Sequence, residues 1–250
     1  MIQSNSSKNF IYGIHPLIEA IESGKEIEKI FIKRESASPQ YAQLIKLIKE
    51  NNLPHQYVPI EKLNRITRKN HQGVIAFISP ITYDNIEQII PTLYEDGIIP
   101  LILILDGITD VRNLGAICRT AECAGVNAII YAEKGSAIIN EDTVKTSAGA
   151  IHNIPICKVK NMVKTIKFLT ESGLNIIACT EKTDELYYNL NYCEPTAIIM
   201  GSEGEGISFE LRKLAQQEAA IPLLGKTESL NVSCATAVIL YEIVRQRSTI

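Results

Sequence analysis

Two patterns of apolar and polar positions follow one another along the chain, and the change falls near residue 98. Before it, apolar residues come in short groups separated by turn-forming residues. Leu17, Ile18 and Ile21 share one face of a helix predicted over 16–23, and Gly24 stands where that helix should end. Residues 27–32 read as a strand. A second helix starts at Pro39, carries Leu44, Ile45, Leu47 and Ile48, and closes at Asn51-Asn52. Strands at 56–58 and 74–78 flank a short helix over 60–66. These elements predict a small α/β domain over 8–80. The stretch that follows holds Pro80, Pro91 and four acids (Asp84, Glu87, Glu95, Asp96). It reads as a linker over 81–97, able to carry a turn or two of helix around 86–90.

From residue 98 strands and helices alternate regularly. Strands are predicted at 100–105, 126–131, 174–179 and 196–200, with a shorter one at 219–222. Helices are predicted at 113–124, 140–150, 162–172, 207–217 and 232–246. The longest apolar run, 98–105, is far below the about 20 residues that cross a bilayer, and suits a strand buried on both faces. Such alternation implies an α/β domain over 98–247, built on a parallel sheet with ligands at the carboxyl ends of its strands.

Composition changes this picture little. Hydrophobic residues make up 46% and charged residues 21% of 250, an ordinary globular mixture. The polar N-terminus lacks the apolar segment of a signal peptide, which points to a cytoplasmic protein. Six cysteines without a C-x-x-C pair read as buried free thiols, and four scattered histidines predict no metal site. Charge is more informative. The net −3 divides into +4 over residues 1–80, from 11 Lys/Arg against 7 Asp/Glu, and −7 over the rest. The positive end suits a module that faces a polyanion.

Three polar, glycine-containing segments lie at predicted strand ends. The first, 106–120, reads D-G-I-T-D-V-R-N-L-G-A-I-C-R-T and enters a helix near Asn113. Gly115 early in that helix is unfavourable by about 1 kcal/mol against Ala unless something approaches the backbone. Asn113 and Arg119, six positions apart, are rotated well away from each other on the helix. The second segment, M-G-S-E-G-E-G at 200–206, does not fit G-x-G-x-x-G, and its two glutamates would repel a phosphate. Gly225-Lys226-Thr227 ends like a P-loop, but Ala220 stands where the first glycine is required, so an ATPase reading fails. The third segment pairs Ile221-Pro222 with S-L-N-V-S at 229–233, where Ser229 or Asn231 can cap the final helix.

In their order, N-x-G-x-x-x-R-T, G-S-E-G-x-G and S-L-N-V-S resemble the three motifs of the SpoU (TrmH) branch of the SPOUT RNA methyltransferases. The segments Tyr12-Gly13-Ile14-His15-Pro16 and His71-Gln72-Gly73-Val74 resemble that branch's substrate-binding domain, which is similar to ribosomal protein L30e. The two-domain layout looks most like the enzymes that methylate a guanosine ribose in large-subunit (23S) ribosomal RNA. One position departs: Val111 follows Asp110 where many members carry Pro, which should leave the turn less rigid.

The resemblance implies S-adenosylmethionine as methyl donor, a C-terminal trefoil knot and a homodimer with each active site near the dimer interface. It places Arg119 at the reacting 2′-oxygen. Asn113 and Glu203 would hold the ribose and order the Arg, with Ser229 and Asn231 completing the site. Gly201, Ile221 and Leu230 would bind the cofactor largely through backbone groups. A guanidinium resists deprotonation, which favours electrostatic stabilisation over a base role for Arg119. In the basic N-terminal domain, Arg65, Arg68, Lys69 and His71 form a cluster suited to RNA phosphates. Two other readings remain open: the same reaction on a transfer RNA guanosine, and a non-catalytic RNA-binding factor of ribosome assembly.

Overall fold

A computed structural model describes residues 10–34 and 38–248. The chain forms two compact units that part between Thr82 and Tyr83.

The first unit is built from β1 (Phe10–Tyr12), α1 (Ile14–Glu22), β2 (Ile27–Ile32), α2 (Pro39–Glu50), β3 (His55–Tyr57), α3 (Ile60–Ile66) and β4 (Val74–Ile78). Its sheet has the order β1-β4-β2-β3, antiparallel except for the β2–β3 pair. The two-residue period of β2 sends Ile30 and Ile32 to one face, where Leu17, Ile18, Leu44 and Ile48 of α1 and α2 bury them. Phe31 points to the other face and packs with Leu63 of α3 and Ile75. Ser38 caps α2 through its side chain, and Pro39 occupies the first turn, where a missing N–H does no harm.

The second unit contains α4 (Ile86–Glu95), β5 (Leu101–Asp106), α5 (Val111–Cys123), β6 (Ala128–Ala132), α6 (Glu141–Thr146), β7 (Ile156–Val159), α7 (Met162–Glu171), β8 (Asn175–Cys179), β9 (Thr196–Gly201), α8 (Phe209–Arg212), β10 (Gln217–Ala219) and α9 (Val232–Arg247). Single 3-10 turns occur at Ala150–His152 and Tyr187–Asn189. All six strands run parallel in the order β10-β8-β9-β5-β6-β7. β5 and β9 are central and buried on both faces, as the uninterrupted apolar runs require.

Several expectations shift. β1 and β7 were not legible, because three or four residues paired at a sheet edge carry too little periodicity. Within the stretch read as a linker, the turn or two of helix allowed around 86–90 extends to the ten-residue α4. Asn85 caps it, and Ile86 and Ile90 enter the core of the second unit, with Pro91 tolerated inside. The helix expected at 207–217 shrinks to the four residues of α8, and β10 starts two residues earlier than expected. Among the described residues, no helix is long and apolar enough to cross a membrane.

Candidate active site

The carboxyl ends of β5, β8 and β9 open onto one side of the second unit, and all three polar segments lie there. β5 ends at Asp106, whose Oδ2 accepts the Ser208 N–H at 2.7 Å. The turn that follows delivers Asp110 as N-cap of α5, its Oδ1 accepting the N–H groups of Arg112 (2.6 Å) and Asn113 (3.2 Å). Val111 thus occupies the first helical position, where a proline would also fit. Gly115 is needed for packing: a Cβ there would lie 2.7 Å from Thr146 Cβ and 2.8 Å from the Thr143 carbonyl oxygen. α6 therefore closes directly on the backbone of α5.

After β9 the chain folds back on itself. Ser202 and Gly206 exchange backbone hydrogen bonds of 3.2 and 3.0 Å, with Gly206 at φ 71°. Gly201, the last residue of β9, stands at the base of this turn, and a Cβ on it would lie 2.2 Å from the Gly206 carbonyl carbon. The turn projects Glu203 toward α5 and α9. Its Oε1 accepts from Asn113 Nδ2 at 3.0 Å, from Asn231 Nδ2, and from the Val232 N–H at 3.4 Å. Asn231 Nδ2 also donates to Asn113 Oδ1 (3.1 Å), while its own Oδ1 caps α9 by accepting the Ser233 N–H (3.0 Å). Three residues separated by up to 118 positions thus form one network around a carboxylate at a helix N-terminus, where negative charge is stabilised.

Next to this network lies a cleft of about 390 Å³. Met200, Ala219, Ile221, Leu230, Val232 and Ala235 provide apolar wall, and Gly201 through Gly206 form its glycine-rich rim. Ionisable side chains in the lining are predominantly acidic: Glu181, Glu203, Glu205 and Glu228 against Lys182. Such a lining disfavours a phosphate and suits a ligand that carries positive charge, as a sulfonium does. Cys179 at the end of β8 also lines the cleft, and burial pushes its thiol up to about 12, so it stays neutral.

The structure therefore brings Asn113, Glu203 and Asn231 into contact, and lines the adjoining cleft with Gly201, Ile221, Ser229 and Leu230. Arg119 stands apart from them. It lies about 9 Å further along α5 and about 120° around it, is exposed, and carries no hydrogen bond or ion pair to the described residues. Thr180, Glu181 and Lys182 were missed in the sequence, although they follow a predicted strand and so sit where ligands of parallel sheets bind. No cluster of potential metal ligands occurs among the described residues.

In the first unit Arg65, Arg68 and Lys69 are exposed at the end of α3 and beyond it. His71 departs from its expected role. It is buried, its Nε2 pairs with Asn64 Oδ1 at 2.9 Å, and its Nδ1 accepts the Gly73 N–H at 3.0 Å. Both ring nitrogens are used in shaping the loop, which leaves neither for a phosphate.

A parallel α/β domain with a glycine-rich turn and an acidic cleft at its strand ends is the class of fold that binds a small cofactor there. Comparison with known proteins narrows that class. Residues 100–241 match the SpoU rRNA Methylase family, and residues 10–84 match the domain described as RNA 2′-O ribose methyltransferase substrate binding. A protein of Staphylococcus saprophyticus named for the TrmH family of tRNA/rRNA methyltransferases is 34% identical over 240 residues, covering 96% of each chain. Its Bacillus subtilis counterpart YacO is 29% identical and covers 97% of each. Among solved structures, the AdoMet-bound rRNA methyltransferase of Sinorhizobium meliloti superposes with a TM-score of 0.61 at 27% identity, covering 94% of this chain and 86% of that one. The chain belongs to the SpoU methylase family of RNA methyltransferases.

Proposed function

We propose that this protein transfers a methyl group from S-adenosylmethionine to the ribose 2′-hydroxyl of a guanosine in large-subunit (23S) ribosomal RNA. The observation that carries this reading is the Asn113–Glu203–Asn231 network at the mouth of an acidic, glycine-rimmed cleft. Bound in that cleft, the donor supplies a methyl group already activated by its sulfonium. Gly201, Ile221 and Leu230 would hold it mainly through backbone groups, and the neighbouring glutamates favour its positive charge. What remains for the protein is to keep the 2′-oxygen about 3 Å from the methyl carbon and to stabilise the charge that develops on it.

Asn113 and Asn231 have their amides fixed by Glu203, which makes them rigid partners for a ribose hydroxyl, with Ser229 beside them. Arg119 is the cation proposed to face the developing alkoxide. Its exposed, unpaired position fits a residue that meets its partner on the RNA or across a homodimer contact. Exposed apolar side chains at Leu224, Leu230 and Tyr241, on α9 and the loop before it, support a homodimer with the active site near its interface. Arg65, Arg68 and Lys69 of the basic first unit would contact phosphates of the substrate.

Incubation with tritiated donor and total RNA, followed by mapping of the labelled nucleotide, tests this reading. Label at a 2′-O-methylguanosine of 23S RNA is the expected result. Label on transfer RNA would replace the substrate, and no label on any RNA would leave a non-catalytic RNA-binding protein.

A further inference from the structure

The first unit has a sheet face that its own helices cover only in part. α3 is seven residues long and lays Leu63, with Ile60 and Ile66, over one side of that face. Strand register sets Phe10 beside Phe77 and Phe77 beside Lys29, with Tyr12, Ile75 and Phe31 in the next row. The rings touch one another: centroids are 6.1 Å apart for Phe10–Phe77 and 5.6 Å for Phe31–Phe77. Phe10, Tyr12 and Phe77 are only half-buried.

Cations stand over these rings. Lys62 Nζ lies 4.5 Å and Lys29 Nζ 5.1 Å from the Phe31 ring centroid, and Lys69 Nζ lies 5.7 Å from that of Tyr12. A groove of about 670 Å³ runs along the edge of α3, where Phe31 and Phe77 meet Lys62 and Arg65, with Glu61 as the opposing charge. Half-buried aromatic rings accompanied by ammonium groups match single-stranded nucleic acid, whose bases stack while its phosphates are neutralised. A duplex keeps its bases stacked on each other and has no use for the rings.

We propose that this face binds an unpaired stretch of RNA, with bases stacked on Tyr12 and Phe77 and phosphates held by Lys29, Lys62 and Lys69. The proposal rests on RNA being the substrate, and it adds that the recognised segment is a loop or single strand. The test uses the full chain and a fluorescein-labelled ten-nucleotide oligouridine, with a duplex of equal length alongside, read by anisotropy across a salt series. Phe77→Leu retains apolar bulk and removes the stacking face, and should weaken oligouridine binding about five- to tenfold with duplex binding unchanged. The double change Lys29→Gln and Lys62→Gln should lower the slope of log affinity against log salt by about 1.4, roughly 0.7 per cation. Equal wild-type affinity for duplex and single strand, or unchanged affinity in Phe77→Leu, would overturn the proposal. Methyl transfer measured in parallel keeps the two ideas separable. Turnover on RNA with no effect of these changes defeats only the stacking face, whereas absence of turnover on any RNA defeats the proposed reaction while the binding data still decide the face.

Discussion

Replacing Gly201 with alanine would set a Cβ 2.2 Å from the carbonyl carbon of Gly206 and 2.3 Å from the Ile207 nitrogen, where ordinary contact begins at 3.4 Å. Both neighbours are backbone, so no side chain can swing aside, and the returning strand of the turn must retreat by more than 1 Å. That movement breaks the paired hydrogen bonds between Ser202 and Gly206, each contributing about 1 kcal/mol. Overpacking of this kind adds about 1–3 kcal/mol. A loss of about 3–5 kcal/mol corresponds to a fall in Tm of about 6–20 °C for a unit of this size. Function should suffer more, because the same turn aims Glu203 at Asn113 and Asn231, and a 1 Å error in such placement lowers turnover about a hundredfold. Gly204→Ala is the control, since nothing lies within 4 Å of the Cβ it would add. Differential scanning calorimetry and methyl-transfer rates measure both effects. A Gly201→Ala protein that melts within 1 °C of wild type and turns over at the wild-type rate would refute the reasoning.

Four further outcomes follow from the same geometry. Arg119→Ala should abolish methyl transfer yet leave calorimetrically measured donor binding nearly intact, because the side chain is unpaired and outside the cleft; retained turnover would remove it from the mechanism. Glu203→Gln keeps the shape but loses the charge that receives three donors, so turnover should fall about ten- to a hundredfold with a Tm change of about 2–4 °C. Arg247 donates to the carbonyls of Ile99, Pro100, Tyr192 and Glu194 at 2.9–3.2 Å, tying the end of α9 to the loops before β5 and β9. Arg247→Lys cannot reproduce that fork and should destabilise by about 3 kcal/mol in urea titration. Burial pushes the thiols of Cys118 and Cys157 from 9.0 up to about 12, so the folded state keeps protons that the unfolded state releases. Their contribution is intact below pH 9 and declines from there toward 12, by up to about 1.4 kcal/mol per thiol and pH unit. Urea midpoints between pH 8 and 10.5 should fall less steeply in Cys118→Ala than in wild type, and an unchanged slope would contradict the assignment.

The central strands were legible because burial on both faces leaves an uninterrupted apolar run, as at Leu101 to Leu105, with no rival reading of that length. α4 was obscured by Pro91 and by acids that resemble a linker, although Ile86, Ile89, Ile90 and Leu93 carry helical spacing. Edge strands such as β7 owe their form to neighbours rather than to their own four residues. The polar network was legible as residue types but not as contacts, since nothing local reveals that Glu203 reaches across 90 positions to Asn113. His71 shows the reverse error. A histidine just after Arg65, Arg68 and Lys69 looks like a phosphate ligand, and only the fold reveals that Asn64 and Gly73 already occupy both nitrogens.

Arg119 is where structure and motif stand furthest apart, and the gap itself is informative. A network held by Glu203 is complete without it: the carboxylate already has three donors, and a guanidinium brought among them would have to displace an amide. The helix geometry that turns Arg119 about 120° away from Asn113 cannot be undone without unwinding α5, whose Gly115 is pinned beneath α6. If Arg119 faces the developing alkoxide as proposed, the groups it meets are supplied by the RNA or by a partner protomer. Mixing Arg119→Ala with Asn231→Ala protein distinguishes the two. Recovery of activity in the mixture requires a site assembled from two chains, whereas continued inactivity of a verified mixed dimer requires that Arg119 and Asn231 serve the same substrate from one chain.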